Sequence, residues 1–436
     1  MSDWRHHYES NLQSPEEAVA AIPDGSLILQ GNAVGEPRAV LGAIAGRARA
    51  GGWRKIRMGS LLPTKHSAET IFAPDLAEVI EWTSFFSSGV DRARIGSGAA
   101  QFVPVQFHQM PRVIRDYTEV DVAVVCVSRV DKWGYVSLGT NVDTNLASIE
   151  KARYVIAEVN RHMPRVHGSG WVHVSEFDAI VEHDEPVMEL PVPPEREEDA
   201  AMGKIISEMI PNGATIQLGI GGVPNAVAKS LMQHRDLGIH TEMFVDAMAD
   251  LIESGVANGS RKATHVGKAI FAFAAGSKRM YDFLDDNPCL EAHPVDYTNH
   301  PANIAKNDGL ISVNATIQID LTGQCCSESM GAAQFSGTGG QLDFVRGAFD
   351  AGGKSIIAFY STAKNGAVSR VVPRLTEGAV VTTPRTDVHY VVSEYGVARL
   401  KGRSTRERAE ALISLAHPKF REDLTRSAAE MGYLAG

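Results

Sequence analysis

Two stretches constrain the fold more than anything else in the chain: IPDGSLILQG at 22–31 and IPNGATIQLG at 210–219. Each reads Ile-Pro-Asx-Gly, a tight turn, and then an apolar run of strand length closed by glycine. Each is preceded by a helix-like stretch, SPEEAVAA or AMGKIISEM. Each is followed by a loop containing glycine and proline that opens another helix, NAVGEPRAVLGAI or IGGVPNAVAKSLM. The same order at the head of each half predicts two related α/β domains. Length agrees, because 436 residues exceed the roughly 250–300 at which a single core stops growing.

Between the halves, HDEPVMELPVPPEREEDA (183–200) sets Pro186, Pro191, Pro193 and Pro194 beside an acidic run, the composition of a connection. The expected division is therefore 1–185 as an N-terminal α/β domain, 186–200 as a Pro/Glu-rich linker and 201–436 as a C-terminal α/β domain. Further strand-like runs are DVAVVCV (121–127), YVIAEV (154–159), KSIIAFYST (354–362), AVVTT (379–383) and VHYVV (388–392). Helical patterns between many of them predict open, largely parallel sheets covered by helices. Ser404 and Glu407 stand at capping-box spacing and predict a helix start there.

Bulk properties exclude several function classes. A net charge of -10 provides no basic field for nucleic acid or an anionic membrane. No run approaches the ~18 apolar residues of a spanning helix. The charged start MSDWRHHYES lacks a signal-peptide core, so a soluble, cytoplasmic protein is expected, with His6 and His7 in a solvated tail. Four cysteines without C-x-x-C spacing read as reduced thiols. The fifteen histidines form no metal-like cluster, and G-x-S-x-G and H-E-x-x-H do not occur.

Two glycine loops remain. GIGGVPNAV (219–227), with Gly219, Ile220, Gly221, Gly222 and Val223, follows a strand and opens a helix, where N–H groups favour an anion or a developing oxyanion. Pro224 replaces the third glycine of the dinucleotide fingerprint, which weakens that reading. QFSGTGGQLDFVRGAFDAGG (334–353) carries Gly337, Gly339 and Gly340 before a helical segment and lacks the Lys-Ser/Thr of a Walker loop. Each loop alone reads equally well as a tight strand–helix connection.

LGIHTEMFVDAMADLIESG (237–255) supplies a third junction. Phe244, Val245, Met248, Leu251 and Ile252 repeat at helical spacing, predicting a helix from about residue 243 to Gly255. Glu242 then falls near its N-terminus, where a carboxylate merely complementing the dipole gains ~0.3–1 kcal/mol. If 238–242 is extended, His240 shares a face with Glu242. His240 then either activates water or, the blander reading, packs beside the site. An acidic residue and two glycine loops in one half point to a shared site outside the carboxyl ends of strands.

GGVPNAV, GIHTEMFVDAMADLIESG, YTNHP, SGTGGQLDFVRGA and TDVHYVVSEYGVARLKGRSTRERA, in that order, resemble the acetyl-CoA hydrolase/transferase family. These are the family I CoA-transferases of the 4-hydroxybutyrate, butyrate–acetate and succinate–acetate type. In the first half SLGTNVDTNLASIEKARYVIAEVN and MPRVHGSGWVHVSEFDAIVE match too, so the resemblance runs nearly end to end.

The resemblance implies a CoA-transferase fold of two similar open α/β domains with the active site in the cleft between them. It places the catalytic glutamate on Glu242, oxyanion-hole donors on or beside Val223 and on Gly340 (with Gly339 adjoining), and the positioning asparagine on Asn299. GNAVGEP (31–37) resembles a loop shaping the carboxylate pocket, without identifying the acceptor. Lys364 and Arg370 are candidates by position for the CoA phosphates, or ordinary solvated charges.

Coenzyme A and acyl-CoA are implied as substrates, with no tightly bound cofactor and no metal. Small carboxylates are the other partners, and a homodimer or larger homo-oligomer is expected. The implied reaction is ping-pong CoA transfer through a glutamyl-CoA thioester, between acetyl-CoA and an acid such as 4-hydroxybutyrate, butyrate, succinate or itaconate. Two alternatives stand beside it: an acyl-CoA hydrolase using the same glutamate, and a non-catalytic CoA-binding subunit.

Overall fold

A computed structural model describes residues 4–191, 194–219 and 221–435. The chain is a mixed α/β protein built as two units, one of residues 1–191 with 270–298 and the other of 192–269 with 299–436. The segment 270–298 thus belongs with the first unit, whereas the sequence expectation left it in the C-terminal domain. Helix Glu197–Glu208 begins inside the stretch expected to be linker.

The first unit carries a seven-stranded sheet in the order 179–182, 154–159, 122–127, 27–30, 56–61, 80–86, 100–102. Every neighbouring pair is parallel. Val122–Val127 is buried at every position, as a central parallel strand covered on both faces must be. Trp82 is fully buried, with its ring edge-on to Phe72 at 3.9 Å. Burying one such large apolar side chain contributes roughly 1.5–3 kcal/mol.

The second unit carries a six-stranded sheet in the order 238–239, 215–218, 311–315, 354–358, 390–393, 396–399. Its first four pairings are parallel and the last is an antiparallel hairpin. Helix Thr405–Leu415 starts with the expected capping box between Ser404 and Glu407. AVVTT (379–383) forms no strand. Only Thr383 makes a bridge, to Cys325, and Val380 and Val381 are exposed. The apolar composition suits a strand, but the pairing with Cys325 does not extend beyond Thr383.

The repeated motif is physical. Gly25 and Gly213 sit at φ +81° and +80°, a region that costs residues with a Cβ roughly 1–2 kcal/mol. The Gly25 N–H donates to the Lys55 carbonyl at 2.7 Å and that of Gly213 to Arg235 at 2.9 Å. The Asx side chain closes the same turn in both: Asp24 accepts from the N–H groups of Arg54 and Lys55, and Asn212 from that of Arg235. Strands Leu27–Gln30 and Thr215–Leu218 follow. Their closing glycines also match, Gly31 donating to Val124 and Gly219 to Val313, both at 2.9 Å.

At the N-terminus, Trp4–Ser10 is helical and His7 Nε2 lies 3.0 Å from the Phe177 carbonyl oxygen. His7 is therefore packed, not a tail residue, whereas His6 is exposed. Cys126, Cys325 and Cys326 are buried free thiols and Cys289 is an exposed one. Among the described residues no helix is long and apolar enough to cross a membrane.

Candidate active site

Strand Gly238–Ile239 lies beside Thr215–Leu218, and Glu242 follows it in a bend. Buried Thr241 secures that bend, its hydroxyl 3.3 Å from the Leu218 carbonyl oxygen. Met243–Phe244 is extended and the helix runs Asp246–Glu253, so it begins later than residue 243. Val245, at φ −132° and ψ 165°, is its N-cap. The apolar spacing read as helix includes two extended residues, buried Phe244 and half-buried Val245. Asp246 occupies the first turn, so dipole complementation is already met there and does not explain Glu242.

Two other segments of the same unit meet Glu242. Asn299 is fully buried and its Nδ2 donates to Glu242 Oε2 at 2.6 Å. Its position is fixed by the next residues: His300 caps the short helix Pro301–Ile304, with Pro301 preset for the first turn. The Asn299 Oδ1 is buried and has no hydrogen-bond partner among the described residues. Buried polar atoms are rarely left so.

Gly340 completes the group. It is the N-cap of helix Gln341–Asp350 at φ −97°, a conformation open to any residue, so its backbone does not demand glycine. Space does. A Cβ there would lie 2.0 Å from Glu242 Oε2 and 2.2 Å from Asn299 Nδ2. The carboxylate and the carboxamide occupy the volume a side chain would need.

Not all the other sequence candidates gather there. Val223 is buried in the first turn of helix Gly222–Ser230, where N–H groups lack intrahelical acceptors. That turn follows the strand next to Gly238–Ile239 in the sheet. Gly221, at φ +117°, makes the entry, and a Cβ on Gly222 would lie 2.5 Å from Asp199 Oδ2. Ile220 lies outside the described residues. Gly337 is buried and Gly339 turns the second loop at φ +55°.

Lys364 is exposed at φ +50°. Arg370 is committed elsewhere: its guanidinium donates to the carbonyls of Thr362 and Ile317 and lies over the Tyr360 ring. That spends it on holding the hairpin. His240 is buried, with Nδ1 3.3 Å from Asn307 Nδ2 and its ring edge-on to Phe344 at 6.3 Å. These contacts fit the packing reading.

Comparison with known proteins decides the family. The acetyl-CoA hydrolase/transferase N-terminal domain matches residues 1–191 and the C-terminal domain of the same family matches 276–428. A succinyl-CoA:cyclohexane-1-carboxylate CoA transferase of Geobacter metallireducens is 46% identical, over 98% of this chain and 97% of its own. The chain belongs to the acetyl-CoA hydrolase/transferase family.

Within that family it is also similar to the 4-hydroxybutyrate coenzyme A transferase of Clostridium kluyveri, 42% identical over 97% of this chain and 98% of that one. The crystal structure of RipA from Yersinia pestis superposes with a TM-score of 0.95 at 44% identity, covering 99% of this chain and all of that one. The chain is accordingly an enzyme of the CoA-transferase class.

Proposed function

We propose that this enzyme moves CoA between a short acyl-CoA and a short-chain carboxylate through a covalent thioester on Glu242. The observation that supports this most directly is the Glu242 carboxylate, held by Asn299 at 2.6 Å and flush against a glycine with no room for a side chain. That arrangement would fix an oxygen nucleophile in place for attack on a substrate carbonyl.

The steps balance without a further reactant. A Glu242 oxygen attacks the thioester carbonyl, the C–S bond breaks, and a mixed anhydride and CoA thiolate result. The thiolate attacks the glutamyl carbonyl, the anhydride C–O bond breaks, and the first carboxylate leaves with Glu242 as its CoA thioester. An incoming carboxylate reverses both steps and departs as the new acyl-CoA. Anhydride and thioester retain the free energy that hydrolysis would lose.

Each step passes through an oxyanion. Backbone N–H groups at Val223 and Gly340 are the proposed donors, each worth ~2.7–4 kcal/mol. The unpaired Asn299 Oδ1 would accept a polar hydrogen of the bound thioester arm. Lys364 is retained as a candidate for the CoA phosphates; Arg370 is not, because its guanidinium is anchored to two main-chain carbonyls and lies over the Tyr360 ring.

Acetyl-CoA as donor follows the name of one relative, a probable butyrate:acetyl-CoA coenzyme A-transferase, and 4-hydroxybutyrate, butyrate or succinate as acceptors follow the names of others. Mass spectrometry after incubation with acetyl-CoA alone tests the reading. A CoA adduct is expected on the peptide holding Glu242, discharged by hydroxylamine or an acceptor acid. Acetyl-CoA consumption without an acceptor and with no adduct would instead favour hydrolysis.

A further inference from the structure

Glu328 stands at the foot of the second glycine loop, and no motif singles it out. It is only 4% exposed. Its main-chain carbonyl accepts the N–H groups of Phe335 and Ser336 at 2.8 and 3.0 Å. Its carboxylate Oε2 accepts the Thr338 hydroxyl at 2.8 Å, and the Thr382 side chain stands close to the same carboxylate. Thr382 is itself buried and its oxygen accepts the Ser327 N–H at 3.0 Å. One residue therefore grips the loop at its beginning and again just before Gly340.

We propose that Glu328 is a positioning residue for CoA transfer, holding the loop 335–340 through Thr338 so that Gly340 stays against Glu242. It acts through the loop and does not touch substrate. The proposal rests on the reading of Glu242 given above. Gly337, Gly339 and Gly340 make this loop costly to order, and reacting groups misplaced by about 1 Å lose ~10²-fold in rate. A tether suits that need.

The residue type is informative. A carboxylate buried without a cation is unfavourable, and burial pushes the Glu328 carboxyl above the usual range against the pull of its two threonines. An apolar side chain would fill the same space at less cost. What it would not supply is a charged acceptor, whose hydrogen bonds are roughly twice as strong as neutral ones.

The test measures exchange of labelled acetate into acetyl-CoA by the full-length enzyme and the variants Thr338→Val, Thr338→Ser, Glu328→Ala and the Val/Ala pair. Thermal unfolding confirms that each variant is folded. Thr338→Val keeps the side-chain shape and removes the hydroxyl. It is expected to lower kcat ~10–100-fold while KM for acetyl-CoA moves less than about two-fold. Thr338→Ser should restore kcat to within about three-fold, and the double variant should be no slower than Glu328→Ala alone.

Thr338→Val with wild-type kcat, or Thr338→Val and Glu328→Ala losses that multiply in the pair, would overturn the proposal. The wild-type adduct measurement separates the two readings. If wild-type enzyme never carries CoA on Glu242 while Thr338→Val still slows exchange, the thioester fails and the tether stands.

Discussion

In the first unit Leu61 occupies the register position that Glu242 occupies in the second. Arg57 pairs with Leu27 and Gly238 with Thr215; four residues further along stand Leu61 and Glu242. The turn, the strand and the closing glycine before them share hydrogen bonds within 0.2 Å. Beyond that the two diverge. Leu61 is buried, and its N–H donates to the Asn32 side chain at 3.1 Å. Asn32 in turn donates to Asp143 and Thr144, and Glu36 accepts from Thr64 and Ser67. At this position the first unit pairs Asn32 and Glu36 with its own groups, although Gln30 Oε1, on the strand before them, is buried without a partner among the described residues.

The second unit places a carboxylate where the first has leucine, and sets an orphaned Asn299 oxygen beside it. One scaffold thus carries a buried leucine at this position in one unit and a carboxylate in the other. The difference lies in a few side chains at the strand's end, not in the sheet.

Breaking the comparison at its centre gives the largest effect. Glu242→Ala should abolish exchange, below ~10⁻³ of wild type, and leave thermal stability nearly unchanged. Its counterpart Leu61→Ala should instead cost ~2–5 kcal/mol of stability by opening a cavity. Retained exchange in Glu242→Ala would sink the assignment. Next comes Gly340→Ala, whose Cβ would meet Glu242 Oε2 at 2.0 Å; a fall of ~10²-fold or more in kcat with a normal melting curve is expected.

Asn299→Ala removes a hydrogen bond to a charged group and should cost ~10–100-fold in kcat/KM. Asn299→Asp puts a like charge beside Glu242, so the acidic limb of the pH–rate profile should move to higher pH. A limb that stays in place would show that the contact at 2.6 Å does not persist in turnover.

In the first unit the corresponding test concerns stability. Burial raises the Glu158 carboxyl from 4.5 to about 7, against the N–H groups of Val40, Ala39 and Arg38 and the charge of His183. The folded state thus binds this proton more tightly than the unfolded chain. Its contribution is fully present below pH 4.5 and is lost as pH rises through about 7. Glu158→Gln should flatten the fall of melting temperature across that window, and an unchanged slope would refute it. The smallest effects sharpen the likeness: Gly25→Ala and Gly213→Ala should each cost roughly 1–2 kcal/mol, because both sit at positive φ. Unequal losses would place the second turn's neighbour Arg261, 2.6 Å from an added Cβ, in control.

Local signals carried much of the fold. Ile-Pro-Asx-Gly reported a turn that side chain and glycine close together, and Ser404 with Glu407 reported a helix start. Glu242, Asn299 and Gly340 were legible through the resemblance, and they meet within one unit. Val245 as an extended N-cap was not legible, since buried strand and buried helix residues are equally apolar. AVVTT failed for the reverse reason: its composition suits a strand, but pairing is limited to the single bridge from Thr383 to Cys325. Glu328 is silent in sequence because its role depends on a hydroxyl ten residues away.

The excursion of 270–298 into the first unit bears on how such enzymes can be recombined. Grafting residues 1–191 from a relative, the cut that the family boundary suggests, would leave a native strip facing foreign neighbours. A working hybrid has to exchange both pieces, and the second splice then falls immediately before Asn299. Engineers who swap halves to change acceptor preference are therefore cutting one peptide bond away from the residue that holds the proposed nucleophile.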